Sequence, residues 1–375
     1  MKKKRLKIGF ISPVNPFKDR KSWSGTYYNT RLALERAGHE IFWIKYNNNG
    51  LLLKIYRKMY KYIYKSGPVD HTKLASIIKI SSIKDNLDLY DVIFVPGQSE
   101  IVAGIKTKRN IIYYTDVTVP LMKDYYWFNY SQKGLKMAID IEKKAVKNAS
   151  INLYASDWAR NSAIKDYGVN KIKTDVLPFG PGITFKENNI SKDYRKKETI
   201  NLIFSGVDWV RKGGDIAVKA VEKLNEDGYK AKLHICGVKN LDNDIVNKNF
   251  VKNLGFLDKE DTQQYQKYVE AYQKADILIL PTRAECAGIV FSEASLFGVP
   301  VITTDTGGIA DYVKNNINGK RLPLEADGID YAREIEKWID TNSLKNLSVG
   351  ARKLYEEKNN WKNWGKRFNE IIEML

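Results

Sequence analysis

The chain has 375 residues, 62 Lys and Arg against 44 Asp and Glu, 43% apolar residues and a formal net charge of +18. That is long enough for two ordinary domains and too apolar for disorder. Two cysteines, Cys236 and Cys286, and three histidines exclude a disulfide scaffold and argue against a dedicated zinc site, so no metal is expected.

The basic start, Lys2 to Arg5, opens like a secretion signal. The apolar stretch after it is broken by Gly9 and Pro13, ends in Asn15-Pro16, and falls far short of the ~20 residues of a membrane span. The chain reads as cytosolic. Short β-branched runs at 7–12, 40–45, 92–95, 110–115, 151–155 and 175–177 alternate with longer amphipathic stretches, the pattern of a parallel sheet with helical crossovers. After the first strand, Ser24-Gly25-Thr26 opens a helix, with ordinary capping as the competing reading. Between Leu51 and Lys65, apolar or aromatic residues at 52, 55, 56, 59, 60, 63 and 64 share one helical face and Lys54, Lys58, Lys61 and Lys65 the other. This composition fits a helix lying on an anionic bilayer surface; a packed surface helix with snorkelling lysines is the alternative. The fourth strand ends at Asp116, which by itself reads as a turn or N-cap residue, and the aromatic run Tyr125 to Phe128 with Tyr130 follows as the lining of an entrance or as core.

From Pro178 to Glu198 the sequence is rich in Gly, Pro, Asn and Lys without apolar period, which predicts a linker. Strands at 200–205, 231–236, 251–254, 277–280 and 301–304 follow. The expected fold class is therefore α/β, two doubly wound Rossmann-like domains facing a cleft: residues 1–180 in front, 181–360 behind, and a helix at 361–375 that crosses back to the first. The halves differ in charge. Residues 1–190 hold 33 basic and 16 acidic side chains, and 191–375 hold 29 and 28, so the front half is the one expected to meet an anionic partner.

The most informative segment is Pro281-Thr-Arg-Ala-Glu-Cys-Ala-Gly-Ile-Val-Phe-Ser-Glu293. A strand ends at Pro281, Glu285 lies in the loop, and Gly288 opens a helix whose free N–H groups suit a phosphate. Glu285 and Glu293 flank that point, and ionised carboxylates accept hydrogen bonds from sugar hydroxyls. A second Gly-rich turn closes Thr303-Thr-Asp-Thr-Gly-Gly308. Upstream, Phe204-Ser-Gly-Val-Asp-Trp-Val-Arg-Lys-Gly-Gly214 places Arg211 and Lys212 at a strand-to-helix loop, where two cations suit a diphosphate. Cys286 has no base beside it and is not read as a nucleophile.

These motifs resemble the retaining glycosyltransferases of the GT4 family, of GT-B fold: Glu285, seven residues, Glu293, then Gly298 to Ile302 and Gly307-Gly308. The resemblance implies that Glu293 holds the donor ribose, Glu285 the donor hexose, and the backbone at Gly288, Ile289 and Val290 the distal phosphate. It implies that Lys212 binds the diphosphate, with Gly206 ending the strand before it. Val207 stands where the family has an Arg, a charge Arg211 would replace. The base would lie by the loops at Gly237 and at Phe256 and Leu257. Gly25 and Thr26 would form the small-residue turn against the phosphate and acceptor, and Asp116 stands at the strand end where many relatives have a His. The implied function is transfer of a hexose from a nucleotide diphosphate donor, a UDP-sugar, to a hydroxyl of an envelope polysaccharide, glycolipid or lipid-linked glycan. No cofactor or metal is expected, and the enzyme would sit peripherally on the cytoplasmic face of a membrane. A soluble glycoside or sugar phosphate as product, and a non-catalytic glycan-binding subunit, stay open. A nucleic-acid partner would account for the charge but not for the paired glutamates.

Overall fold

The β-branched runs form two parallel sheets, each the spine of one α/β unit. The computed structural model describes residues 5–184 and 198–375. The first unit comprises Met1–Pro178 with Trp361–Leu375, and the second Phe179–Asn360. In the first, β1 (Lys7–Ser12), β2 (Glu40–Lys45), β3 (Val92–Pro96), β4 (Asn110–Thr115), β5 (Ile151–Tyr154) and β6 (Thr174–Val176) lie in the order β2-β1-β3-β4-β5-β6. Every residue of β3 is buried, as expected for a central strand covered by helices on both faces. The helix Trp361–Ile372 completes this unit: Trp364 and Phe368 pack on Phe94, and the Trp364 indole donates to the Tyr114 hydroxyl at 3.1 Å.

The second sheet joins β7 (Ile200–Ser205), β8 (Ala231–Cys236), β9 (Val251–Gly255), β10 (Ile277–Leu280), β11 (Val301–Thr304) and β12 (Gly319–Leu322) in the order β12-β11-β10-β7-β8-β9. Strand order reverses between β7 and β10, and loops at the carboxyl ends of such a pair form the ligand crevice of doubly wound sheets. Two Rossmann-like units of this kind are the GT-B class of fold.

Three details differ from the sequence reading. The edge strand β12 has no apolar run: Lys320 and Arg321 occupy its middle, and Gly319 is required because a Cβ there would lie 1.9 Å from the Val301 carbonyl oxygen. The expected linker begins as packed chain, since Ser292 donates to the Phe179 carbonyl at 2.7 Å and Tyr265 bonds both backbone groups of Thr184. The rest of it, 185–197, lies outside the described residues.

The helix Leu51–Tyr64 is present, but its faces are apportioned differently. Leu53 and Tyr60 are buried, with Tyr56 bonded to Thr72 and Arg57 to Asp70 and Asn48. Leu51, Leu52, Ile55, Met59, Tyr62 and Ile63 all point outward, Tyr62 being 90% exposed. At 3.6 residues per turn they form a stripe beside the one made by the exposed Lys54, Lys58, Lys61 and Lys65. Leu53, Tyr56, Arg57 and Tyr60 dock the helix, and a mainly aliphatic stripe is left to solvent.

Glu142 is buried beneath β4, where it accepts from Tyr167 at 2.6 Å and from the Val119 and Tyr113 donors. Burial outweighs those bonds and pushes its carboxyl up to about 7. The folded chain thus keeps a proton that the unfolded chain releases above about pH 4.5. Stability from this site falls as pH rises from about 4.5 to 7 and is flat beyond, by roughly 3 kcal/mol in all. Thermal melts of Glu142→Gln should show a shallower decline over that window than the parent. Parallel pH slopes would refute the assignment.

Candidate functional site

In the second unit, the loops after β7 and β10 are stitched together at the strand-order reversal. The Arg283 amide donates to the Arg211 carbonyl at 2.7 Å, and the Arg211 guanidinium donates to the Ala284 carbonyl at 3.0 Å. Arg283 forks onto Asp215 at 2.8 and 3.1 Å, which holds that carboxyl below its usual range. Glycines make the close approach possible. A Cβ on Gly213, whose φ is +71°, would lie 2.0 Å from the Pro281 carbonyl oxygen, and one on Gly206 would lie 2.9 Å from the Lys212 stem.

Lys212 and Glu285, both 8% exposed, meet here as an ion pair. Their side chains come from loops on either side of the reversal, 73 residues apart in sequence. The Gly308 amide, from the loop after β11, donates to the Glu285 carbonyl at 3.2 Å, so a third loop fixes the backbone of that Glu. Arg211 bonds Asp208 at 3.1 and 3.3 Å besides Ala284, which makes it a brace of the Glu285 loop. Val207 is exposed.

Gly288 takes φ +83° and caps the helix Ile289–Leu296; a Cβ there would meet the Phe291 ring at 2.4 Å and Glu285 Cγ at 3.2 Å. Ile289 is buried and Val290 half-buried. Glu293 is fully buried, its Oε2 accepting from Tyr268 at 2.7 Å and Tyr272 at 3.1 Å, its Oε1 from Lys259 at 2.8 Å. Burial, then the Glu293 charge, holds both phenols protonated and therefore donating. Lys259, Tyr268 and Tyr272 were not foreseen as site residues. The one local signal was the spacing of the two tyrosines by four, which puts them on the same face of the helix Thr262–Lys274.

The next loops stack in turn: Gly206 donates to the Cys236 carbonyl at 3.0 Å and Gly237 to that of Gly255 at 2.8 Å. Beyond them Phe256 is 42% exposed with the Lys239 ammonium 5.1 Å over its ring, and Leu257 is half-buried. Burial pushes the Cys236 thiol up to about 12, which leaves no thiolate at neutral pH, and Cys286 is buried.

In the first unit, Trp23, Ser24 and Gly25 all have positive φ (49°, 54° and 82°), and the Thr26 hydroxyl turns back to the Trp23 carbonyl at 2.6 Å. The Trp23 indole donates to Asp116 at 3.2 Å, bringing the loop after β1 to the end of β4. Gln98, after β3, links Tyr27 at 2.9 Å to Tyr46 at 2.6 Å. The aromatic run divides, Tyr125 packing on Trp158 and Trp127 on His71. His71 also bonds Ser99 at 3.2 Å, and burial lowers its pKa, so its ring is neutral at pH 7. Among the described residues, no group of three or more His, Cys, Asp or Glu is placed to hold a metal ion.

Residues 185–366, the paired glutamates and the Lys212 loop among them, match the family described as glycosyl transferases group 1. The chain resembles that family. It is 27% identical over 232 residues to the capsular polysaccharide biosynthesis glycosyltransferase CapM of Staphylococcus aureus, covering 58% of this chain and 60% of that one. To Protein CapJ of the same organism it is 29% identical over 296 residues, 74% of this chain and 69% of the relative. The chain thus spans 60% and 69% of the length of these two relatives, and about half of others that it matches. Among solved structures, Anabaena Alr3699/HepE in complex with UDP and glucose superimposes with a TM-score of 0.63 at 17% identity, over 99% of this chain and 100% of that one. The apo lipopolysaccharide outer core galactosyltransferase WaaB gives 0.66 at 14%, over 98% and 99%. At these identities the likeness concerns the fold.

Proposed function

We propose that the protein is a retaining glycosyltransferase. It moves a hexose from a UDP-sugar to a hydroxyl of an envelope polysaccharide, glycolipid or lipid-linked glycan, and it works at an anionic membrane surface. The observation that carries this reading is the Lys212–Glu285 pair beside the helix that Gly288 opens, at the strand-order reversal. Lys212 supplies the charge that a departing diphosphate needs, and the free amides of that helix start receive its distal phosphate. Glu285 takes the hexose hydroxyls, Glu293 the ribose, and Arg211 holds the Glu285 loop through Ala284. Phe256 and Leu257 flank the base. The chemistry is a same-face substitution in which the leaving phosphate accepts the acceptor's proton, so the protein needs no nucleophile, metal or cofactor of its own. The first unit, with Gly25, Thr26 and Asp116, receives the acceptor. UDP in the HepE structure and the capsular polysaccharide relative CapM support the choice of donor and product.

The test is incubation with labelled UDP-glucose, UDP-galactose, UDP-N-acetylglucosamine and GDP-mannose, with the anomer of the released or transferred sugar read by NMR. At least one donor should be cleaved, if only slowly by water, with its anomeric configuration kept. Inversion would remove the mechanism, and failure to bind or cleave any of the four would remove the donor reading.

A further inference from the structure

Glu293 is held in a way that leaves too few acceptor positions for the ribose diol assigned to it. An ionised carboxylate offers about four acceptor positions, two on each oxygen. Oε2 is filled by the Tyr268 and Tyr272 hydroxyls, and Oε1 has accepted the Lys259 ammonium. One position remains, whereas a vicinal diol brings two donors. The tyrosines are buried, but Lys259 is not: it stands on the loop after β9 with its side chain 24% exposed, over the Tyr268 ring at 4.6 Å. Its surroundings also reach the start of the helix Ile289–Leu296. A Cβ on Gly182 would lie 2.9 Å from the Lys259 Nζ, 2.8 Å from Glu293 Oε1 and 3.5 Å from Ile289 Cγ2, so ammonium, carboxylate and helix start surround one point kept clear by a glycine.

We infer that Lys259 exchanges partners when donor binds, leaving Glu293 Oε1 to the ribose hydroxyls and moving its ammonium to the diphosphate at the helix start. This rests on the donor reading above. Without ligand, Lys259 neutralises a carboxylate that burial would make costly to leave unpaired. With a nucleoside diphosphate, the hydroxyls satisfy the carboxylate and the phosphates satisfy the ammonium. A nucleoside alone must break the pair with no anion to offer, so Lys259 sets a preference for the phosphorylated ligand as well as contributing to its affinity.

Calorimetric or NMR titration with UDP and with uridine, on the parent protein and on Lys259→Met and Lys259→Gln, tests the exchange. The Gln variant keeps one donor to Glu293 in case Met compromises folding, which melting curves would report. UDP affinity should fall about 10- to 100-fold, the range for one charge-assisted hydrogen bond, while uridine affinity holds or rises. Lys259→Arg should keep the preference for UDP. Equal losses for UDP and uridine, or an unchanged UDP affinity, would overturn the exchange while leaving the donor reading intact. A parent protein that does not bind UDP would overturn both.

Discussion

Replacing Lys212 by Met is expected to lower turnover of the donor sugar about 10²- to 10³-fold, the size of effect seen when one donor to a developing anion is removed. The same change should lower the melting temperature, because it takes the cation from a Glu285 that is 8% exposed. Breaking a buried pair from one side costs about 3–5 kcal/mol, whereas replacing both partners is far milder. Lys212→Met combined with Glu285→Gln should therefore regain most of the lost stability and none of the lost turnover. This separation matters, since a Lys212 that only held the loops together would leave the double variant with the turnover of Glu285→Gln alone. Glu285→Gln alone is expected to weaken donor use and also to lower the melting temperature, since it leaves the buried Lys212 ammonium without a counter-charge. Turnover in the double variant within a few-fold of Glu285→Gln alone would sink the assignment of Lys212 to the leaving group.

The legibility of this site in the sequence follows the range of its contacts. Glu285, Gly288 and Glu293 lie on one strand-loop-helix, so their spacing is itself the geometry, and the apolar runs of β7 and β10 mark the strands on either side of the reversal. The Lys212 loop is equally local, with glycines at 206, 213 and 214 that later prove to be sites of close approach to Lys212, Pro281 and Trp209. Lys259 is different. It meets Glu293 from 34 residues away, on a polar loop whose composition says nothing about a partner. Strand β12 was missed because an edge strand with Lys320 and Arg321 at its centre carries no apolar alternation. Periodicity found the helix Leu51–Tyr64 but could not say which apolar residues face inward, since the choice depends on where Asp70, Asn48 and Thr72 wait for Arg57 and Tyr56.

That apportionment gives the second large effect. Had Leu52, Ile55, Met59 and Ile63 been packed inward, the helix would be an ordinary surface element with solvated lysines. They are exposed, alongside Leu51 and Tyr62, while Leu53, Tyr56, Arg57 and Tyr60 do the anchoring. An aliphatic stripe next to a lysine stripe matches the two layers of an anionic bilayer interface, headgroups for the ammoniums and acyl chains for the aliphatics. Changing Lys54, Lys58, Lys61 and Lys65 to Gln should reduce binding to vesicles rich in phosphatidylglycerol by several hundredfold, at about fivefold per lysine. Binding to neutral phosphatidylcholine vesicles should scarcely change. Changing Leu52, Ile55, Met59 and Ile63 to Ser should weaken binding to both kinds, because the aliphatic contribution does not depend on lipid charge. Salt should imitate the lysine changes and not the serine ones. All eight side chains are exposed, so the melting temperature should stay put in both sets, and turnover of a small soluble acceptor should survive. Equal and negligible flotation of the parent protein on the two vesicle types would assign the helix no role at a membrane and leave the donor chemistry of the second unit untouched.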